Sequence, residues 1–132
     1  MTQKEEVCLY PFFNEQSSDQ SVYKGVTTAT SFLSPDVLAR PNLTIAVTTQ
    51  VDKVLITQEE GNLLRAFGIE VSTSPSSPRY RVRADREVIL SAGAFGTPKI
   101  LLLSGIGPAQ ELQKHKIEVL KDLPVGLHLS DV

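Results

Sequence analysis

The fold is decided by the stretch from Arg86 to Pro108, which reads REVILSAGAFGTPKILLLSGIGP. Its first apolar run, Val88 to Leu90, is typical of a strand that is buried on both faces. The next four residues, 91–94, are all small. Small residues let another group pass close to the backbone, or let a helix turn tightly back onto a sheet. The stretch therefore predicts a buried strand that ends in a tight turn.

A helix is predicted to follow this turn. Thr97 can cap it, Pro98 suits its first position, and residues 99–103 supply an apolar segment. Gly105 and Gly107 then end the helix. A helix that begins directly after a strand aims unpaired N–H groups and the positive end of its dipole at one point, which suits a polar or anionic part of a cofactor. Ordinary strand–helix packing in an α/β core explains the same residues without a ligand.

Residues 91–108 carry a longer pattern, Ser-Ala-Gly-Ala-x-x-Thr-Pro-x-x-Leu-Leu-x-Ser-Gly-Ile-Gly-Pro. This pattern resembles the second sequence signature of the glucose–methanol–choline flavin oxidoreductases. The resemblance continues downstream into DLPVGLHLSD at 122–131 and upstream to RPNLT at 40–44, so that it covers most of the chain from Thr27 onward. It implies FAD as the cofactor, and oxidation of the CH–OH group of an alcohol or a sugar by hydride transfer to the flavin.

Alternating apolar residues predict three consecutive strands upstream of this stretch. The strongest pattern covers residues 43–58, with a bend at 50–53, and further strands are predicted at 63–73 and 80–84 after turn-forming residues. Strands joined by such short turns pair as an antiparallel meander. Together with the resemblance, they predict an α/β fold: a partial FAD-binding domain with buried parallel-type strands, an inserted antiparallel β-meander and short helices.

The remaining segments are less regular. Residues 1–26 are polar and are predicted as an irregular N-terminal segment, and the partial FAD-binding domain is predicted to span 27–132. Within that domain, Ser34 stands as an N-cap before a proline and predicts a short helix. A further helix is predicted over 108–116, and a short strand over 117–120.

The resemblance also implies which residues contact FAD. Val51 lies where family members meet the adenine through a strand backbone, whose N–H and C=O can recognise adenine whatever the side chain is. Ala92, Gly93, Ala94 and Thr97 lie where the pyrophosphate or ribityl part is expected, and Gly93 and Ala94 keep the backbone accessible. The alternatives are a plain core valine at Val51 and tight strand–helix packing at the turn.

Composition and motifs exclude several other classes. The net charge is −2 with acidic and basic residues mixed, so nothing predicts nucleic-acid binding. One cysteine, Cys8, excludes an internal disulfide framework, and His115 and His128 have no partners at metal-ligand spacing. The sequence contains no Gly-x-Ser-x-Gly pattern, so nothing predicts a hydrolase, and none of its apolar runs is long enough for a membrane helix. The polar start, MTQKEE, does not predict a signal peptide, although family members are often secreted.

No catalytic residue is predicted within these 132 residues. The family begins its FAD-binding fold with a Gly-x-Gly-x-x-Gly turn and places a catalytic histidine near its C-terminal end, and neither occurs here. We therefore expect a fragment of an FAD-dependent oxidoreductase that is inactive alone, with a small-molecule alcohol or sugar as the substrate of the full-length family. The alternatives are a stand-alone adenine-nucleotide-binding or interaction module and a non-functional remnant.

Overall fold

The computed structural model describes residues 6–9 and 28–129, and the chain forms two compact units, 1–48 and 49–132. The first unit contains β1 (Glu6–Leu9), α1 (Thr28–Phe32), α2 (Pro35–Leu38) and β2 (Leu43–Ala46). β1 and β2 pair in parallel. Ser34 is the N-cap residue of α2 and a proline is its first residue, as predicted. The predicted boundary between residues 26 and 27 lies outside the described residues.

The second unit is built on a three-stranded sheet. Its elements are β3 (Gln50–Glu59), a 3-10 turn (Glu60–Asn62), β4 (Leu63–Ser72), β5 (Tyr80–Arg83), α3 (Gly93–Leu103), β6 (Ile106–Gly107), α4 (Ala109–Lys114) and β7 (Lys121–Asp122). β3, β4 and β5 are antiparallel and adjacent in that order, which confirms the predicted meander. β6 and β7 pair in parallel. The unit therefore mixes an antiparallel meander with a short parallel pair and helices, as the α/β prediction requires.

Two glycines allow the meander to close. Gly61, in the turn between β3 and β4, has a φ of +80°, a conformation that side chains other than glycine disfavour. A Cβ atom on Gly68 would collide with the carbonyl oxygen of Val82 on β5. Glycine at position 68 therefore lets the backbones of β4 and β5 approach each other closely.

The pairing of β3 with β4 is interrupted twice. Val51 lies opposite Val71, but Lys53 lies opposite Glu70, so that Asp52 is an extra residue on β3. A second irregularity follows between Leu55 and Ile56. Backbone N–H and C=O groups point alternately to the two edges of a strand. An extra residue shifts this alternation by one position for the residues that follow it.

The core of the second unit is small. Four apolar side chains are buried among the described residues: Val54, Val71, Ile100 and Leu112. α3 packs against β3, and Leu112 of α4 is the most deeply buried, with 2% of its surface exposed. Leu120 N–H donates to the carbonyl oxygen of Gly105 at 2.8 Å, which ties the segment before β7 to the end of α3.

The predicted buried strand at Val88–Leu90 is wrong. These residues form no strand, and the Ile89 side chain is 76% exposed. A strand needs a hydrogen-bonded neighbour. Residues 88–90 have the apolar pattern of a buried strand, but none of the described strands pairs with them.

Two further boundaries differ from the predictions. α3 begins at Gly93 and not at Thr97 or Pro98, and Gly93 itself has a φ of +78°, a conformation that residues other than glycine disfavour. The short strand predicted at 117–120 is also wrong: the strand is β7, immediately after it. The helix nevertheless ends at Leu103, just before Gly105, as predicted.

Candidate functional site

The first turn of α3 is the centre of the candidate site. Ala92 is its N-cap residue, and Gly93 and Ala94 are exposed. A Cβ atom on Gly93 would meet no heavy atom within 4 Å, so the backbone there is open to solvent. The first N–H groups of a helix have no partner within it, and they form the positive end of its dipole. No acidic residue lies in this first turn to oppose an anion.

Thr97 lies inside α3 and fixes the turn from there. Its Oγ1 accepts a 3.1 Å hydrogen bond from the Ala92 N–H, five residues earlier. Gly96 is also required, because a Cβ atom there would come within 2.8 Å of the Ala92 Cβ. The prediction that Thr97 is the N-cap residue is wrong in position, but its hydroxyl does bind a backbone N–H of this turn.

The predicted adenine contact lies on β3, and Ser104 shows which edge of that strand is open. The Ser104 Oγ accepts a 2.8 Å hydrogen bond from the Val54 N–H. The Val54 N–H therefore points away from β4, and Val54 forms a non-hydrogen-bonded pair with Ile69. A second hydrogen bond supports this assignment: the Ala84 N–H donates to the carbonyl oxygen of Phe67 at 2.9 Å. The backbone groups of the odd-numbered residues in this part of β4, including Ile69, therefore point toward β5 and away from β3.

Val51 faces the same outer edge as Val54. Its partner Val71 lies two residues beyond Ile69 on β4, so it points toward β5 and leaves Val51 in a non-hydrogen-bonded pair. In a regular strand the backbone groups of residues 51 and 54 would point to opposite edges. The extra residue Asp52 between them shifts the alternation by one position, so both point to the same edge. β3 is the end strand of the three-stranded sheet. The N–H and C=O of Val51 thus lie on an edge that no described strand covers.

Four of the five predicted residues are brought together and the fifth is not. Ala92, Gly93, Ala94 and Thr97 form a single turn, whereas Val51 lies on β3. α3 packs against β3, so the turn and the strand belong to the same compact unit. Two cavities of about 390 Å³ each lie along the meander, and none of the five residues lines either one. The candidate site is therefore a strand edge and a helix end on an open surface.

A charged cluster beside Val51 was not predicted from the sequence. Asp52 Oδ2 lies 2.9 Å from Arg79 Nη1, and its Oδ1 accepts a 3.1 Å hydrogen bond from the Ser72 hydroxyl. Glu70 lies 3.6 Å from Arg81 Nε and 4.0 Å from both Lys53 and Arg79. The two carboxylate side chains are only 14% and 11% exposed. The alternating arginines Arg79, Arg81 and Arg83, just before β5 and within it, were the available signal. Only the structure shows that Asp52 contacts Arg79.

Other kinds of site find no support in the described part of the chain. No group of three or more His, Cys, Asp or Glu residues there could hold a metal ion. None of its helices has the length and apolar character needed to cross a membrane. His115 is exposed and lies 3.8 Å from Glu111, and His128 is exposed as well.

Comparisons with known proteins agree with the sequence pattern. A family model described as GMC oxidoreductase matches residues 16–131. The dehydrogenase str4 of Strobilurus tenacellus is 52% identical over 106 residues, which are 80% of this chain and 17% of that protein. Mitochondrial choline dehydrogenase of Mus musculus is 40% identical over an aligned length of 134 positions, which covers 92% of this chain and 21% of that protein. A Drosophila melanogaster relative, 42% identical over 106 residues (80% of this chain and 16% of that protein), is named glucose dehydrogenase [FAD, quinone].

Solved structures show the same likeness. Pyridoxine 4-oxidase from Mesorbium loti superposes with a TM-score of 0.62 and 34% identity, over 75% of this chain and 18% of that one. Formate oxidase superposes with a TM-score of 0.55 and 39% identity, over 64% of this chain and 14% of that one. This chain thus spans about a fifth or less of the length of the relatives it matches. Because the family model matches most of its residues, the chain belongs to the GMC oxidoreductase family.

Proposed function

We propose that this chain supplies part of the FAD-binding surface of an oxidoreductase that oxidises a CH–OH donor, an alcohol or a sugar. The observation that carries the proposal is the open edge at Val51 in the same compact unit as the exposed helix start at Gly93. An FAD-binding protein needs both a recognition surface for adenine and donors for a pyrophosphate. The residues present fit both requirements.

The adenine is assigned to Val51. Adenine carries an amino donor beside a ring-nitrogen acceptor, so it pairs with one C=O and one N–H of an extended backbone. The outer edge of β3 offers this pair at Val51, and the neighbouring Val54 N–H is already taken by Ser104. Recognition of this kind needs the strand edge and no particular side chain.

The pyrophosphate is assigned to the start of α3. The N–H groups at Gly93 and Ala94 point out of the helix end, where anions are stabilised by the dipole and by direct hydrogen bonds. Gly93 leaves the approach free, since no heavy atom lies within 4 Å of its Cβ direction. Thr97 holds the turn in place through the Ala92 N–H.

FAD supplies the hydride acceptor when it is bound. The residues of this chain bind and orient it, and none of those described is placed to remove a proton from an alcohol. We therefore expect no alcohol oxidation by the 132 residues alone. This expectation follows from the assigned roles, which are all contacts to the cofactor.

Titration of the chain with FAD, followed by flavin fluorescence and calorimetry, tests the proposal. Gly93→Val is expected to weaken FAD binding about tenfold or more, because a side chain would cover the helix end. Gly61→Val is the matched control, since Gly61 has nearly the same φ (+80° against +78°) and also has open space around its Cβ. Both variants place a valine at a positive φ with open space around its Cβ, so a difference in FAD binding between them reports the cofactor contact.

The outcomes separate the candidate functions. Saturable FAD binding that Gly93→Val weakens and Gly61→Val does not would support the proposal. Equal losses in the two variants would show that backbone strain, and not a contact, is measured. Absence of saturable binding by the unchanged chain would contradict the proposal, and it would leave the remnant as the better description.

A further inference from the structure

Asp52 occupies an unusual position in β3. It is the extra residue of the bulge between Val51 and Lys53, so it has no partner across the ladder. Its side chain is nevertheless only 14% exposed. Burying a carboxylate costs free energy unless it is paired or hydrogen-bonded, so the contacts of Asp52 decide whether this bulge is stable.

Both oxygens of Asp52 are held by residues from elsewhere in the sheet. Oδ1 accepts from the hydroxyl of Ser72, the last residue of β4, at 3.1 Å. Oδ2 forms an ion pair with Arg79, the residue before β5, at 2.9 Å, and it accepts no hydrogen bond from the described residues. Ser72 itself is buried, with 4% of its surface exposed. The carboxylate thus connects the end of β4 and the start of β5 to the bulge of β3.

The bulge decides where Val51 points. From Lys53 onward the register of β3 is set by its pairs with Glu70 and Ile69. Without the extra residue, the strand before Lys53 would shift by one position. Val51 would then face β4, and Gln50 would face the open edge, because backbone groups alternate along a strand.

We propose that Asp52 is a positioning residue for adenine recognition: by holding the bulge through Ser72 and Arg79, it turns the Val51 N–H and C=O to the open edge. The inference rests on the proposed function, since it concerns the same contact. It goes further by assigning the orientation of Val51 to a side chain that itself touches no cofactor. Asp52 and Arg79 act as one pair in this role.

Two variants and a matched pair of controls test this role. Asp52→Ala removes the carboxylate, and Arg79→Gln removes the cation beside it, at a side chain that is already 51% exposed. Glu70, which also lies near Arg79, keeps its contacts with Arg81 and Lys53. The controls are Asp85→Ala and Arg83→Gln, which break a second Asp–Arg pair of the same unit. That pair spans 3.5 Å and both of its side chains are largely exposed, at 74% and 85%.

The first measurement needs no ligand. Amide hydrogen exchange by NMR is expected to show, in the unchanged chain, a fast Val51 amide and slow Gln50 and Lys53 amides. In Asp52→Ala we expect the Val51 amide to exchange slowly and the Gln50 amide to exchange fast, with each rate changing by about tenfold or more. In Arg79→Gln both rates should change in the same direction, and the two controls should keep the original pattern. A variant that merely loosened the sheet would speed all these amides together.

The second measurement uses ADP, which carries the adenine, and FMN, which lacks it. Asp52→Ala and Arg79→Gln are expected to weaken ADP binding about tenfold and to leave FMN binding within twofold. The controls should leave both unchanged. A slow Val51 amide in the unchanged chain would overturn the inference. So would an unchanged exchange pattern in both variants, or an unchanged ADP affinity in both variants.

The two proposals fail in different ways. If the unchanged chain binds neither ADP nor FAD, the proposed function is overturned, and the adenine role of Asp52 is overturned with it. The exchange pattern would still show whether Asp52 holds the bulge. If the unchanged chain binds FAD but the Asp52 and Arg79 variants bind ADP normally, only the positioning role is overturned.

Discussion

The Ser104 hydroxyl joins the end of α3 to the edge of β3, because its Oγ accepts a 2.8 Å hydrogen bond from the Val54 N–H across 50 residues of sequence. The same hydroxyl donates to the carbonyl oxygen of Ile100 at 2.6 Å. Ser104 is 6% exposed, so water does not compete for either bond. This one side chain links the helix that carries the candidate phosphate contact to the strand that carries the candidate adenine contact.

Ser104→Ala is therefore expected to destabilise the chain. It leaves the Val54 N–H buried and unpaired, which costs about 1–3 kcal/mol. Urea unfolding followed by circular dichroism measures the change. Ser76→Ala is the control, since Ser76 is exposed and its one hydroxyl contact spans 3.5 Å, and such surface changes stay within about 0.5 kcal/mol. Equal midpoints for the two variants would contradict the role of Ser104.

Thr97→Val tests the inner support of the α3 turn. Valine keeps the shape of threonine but cannot accept the 3.1 Å bond from the Ala92 N–H. We expect a loss of about 1 kcal/mol in the free energy of unfolding, from the missing hydrogen bond. We also expect weaker FAD binding, because the turn is no longer held. Thr97→Ser should retain both properties, and a serine variant as weak as the valine variant would count against the hydroxyl.

Gly105→Ala is expected to cost more stability than Gly61→Ala. Both glycines have a positive φ, +83° and +80°, and the left-handed conformation alone costs an alanine about 1–2 kcal/mol. At Gly105 a Cβ atom would also lie 2.5 Å from the carbonyl oxygen of Glu118, whereas the space at Gly61 is open. Thermal melts of the two variants measure the difference. A Gly61 variant that melts at or below the Gly105 variant would refute the close-approach argument.

Glu111 gives a prediction on pH dependence. A 2.8 Å hydrogen bond from Lys114 Nζ, together with the charge of Lys114, lowers the pKa of the Glu111 carboxyl. A group whose pKa is lowered by folding stabilises the fold above its unfolded pKa and loses that contribution as the pH falls through its folded pKa. NMR titration of the Glu111 carboxyl carbon should show a low midpoint that Lys114→Gln raises. An unchanged midpoint in Lys114→Gln would show that the pair does not form in solution.

The meander could be predicted from the sequence because its information is local. Alternating residues define β3, β4 and β5, and Gly61 marks the turn between the first two. Such local patterns predict both a strand and its pairing partner, since consecutive strands pair through short turns. Val88–Leu90 has no pairing partner next to it in the sequence. Its apolar run indicates burial, but burial depends on a partner from elsewhere in a fold, which local residues do not specify.

The candidate site could be predicted only in part, for a related reason. Residues 91–97 lie together in sequence, so a single motif located the turn, although the helix starts at Gly93 and not at Thr97 or Pro98. The orientation of Val51 depends on the bulge at Asp52, which is held by Ser72 and Arg79. These residues are 20 and 27 positions away from Asp52. No periodicity along one strand reports such a contact, and only the register of the sheet makes it visible.

The exposed apolar residues after the meander predict self-association. Ile89 and Phe95 are 76% and 78% exposed, and exposed apolar surface beside an unpaired strand-like segment favours pairing with other chains. We expect the isolated chain to associate with rising concentration in sedimentation velocity. Ile89→Lys should reduce this association and change the free energy of unfolding by less than about 0.5 kcal/mol, because the side chain is already solvated. Ile89→Val keeps the apolar surface and should associate like the unchanged chain. A chain that stays monomeric at all concentrations, or a lysine variant that associates as strongly, would show that residues 88–90 are not the contact.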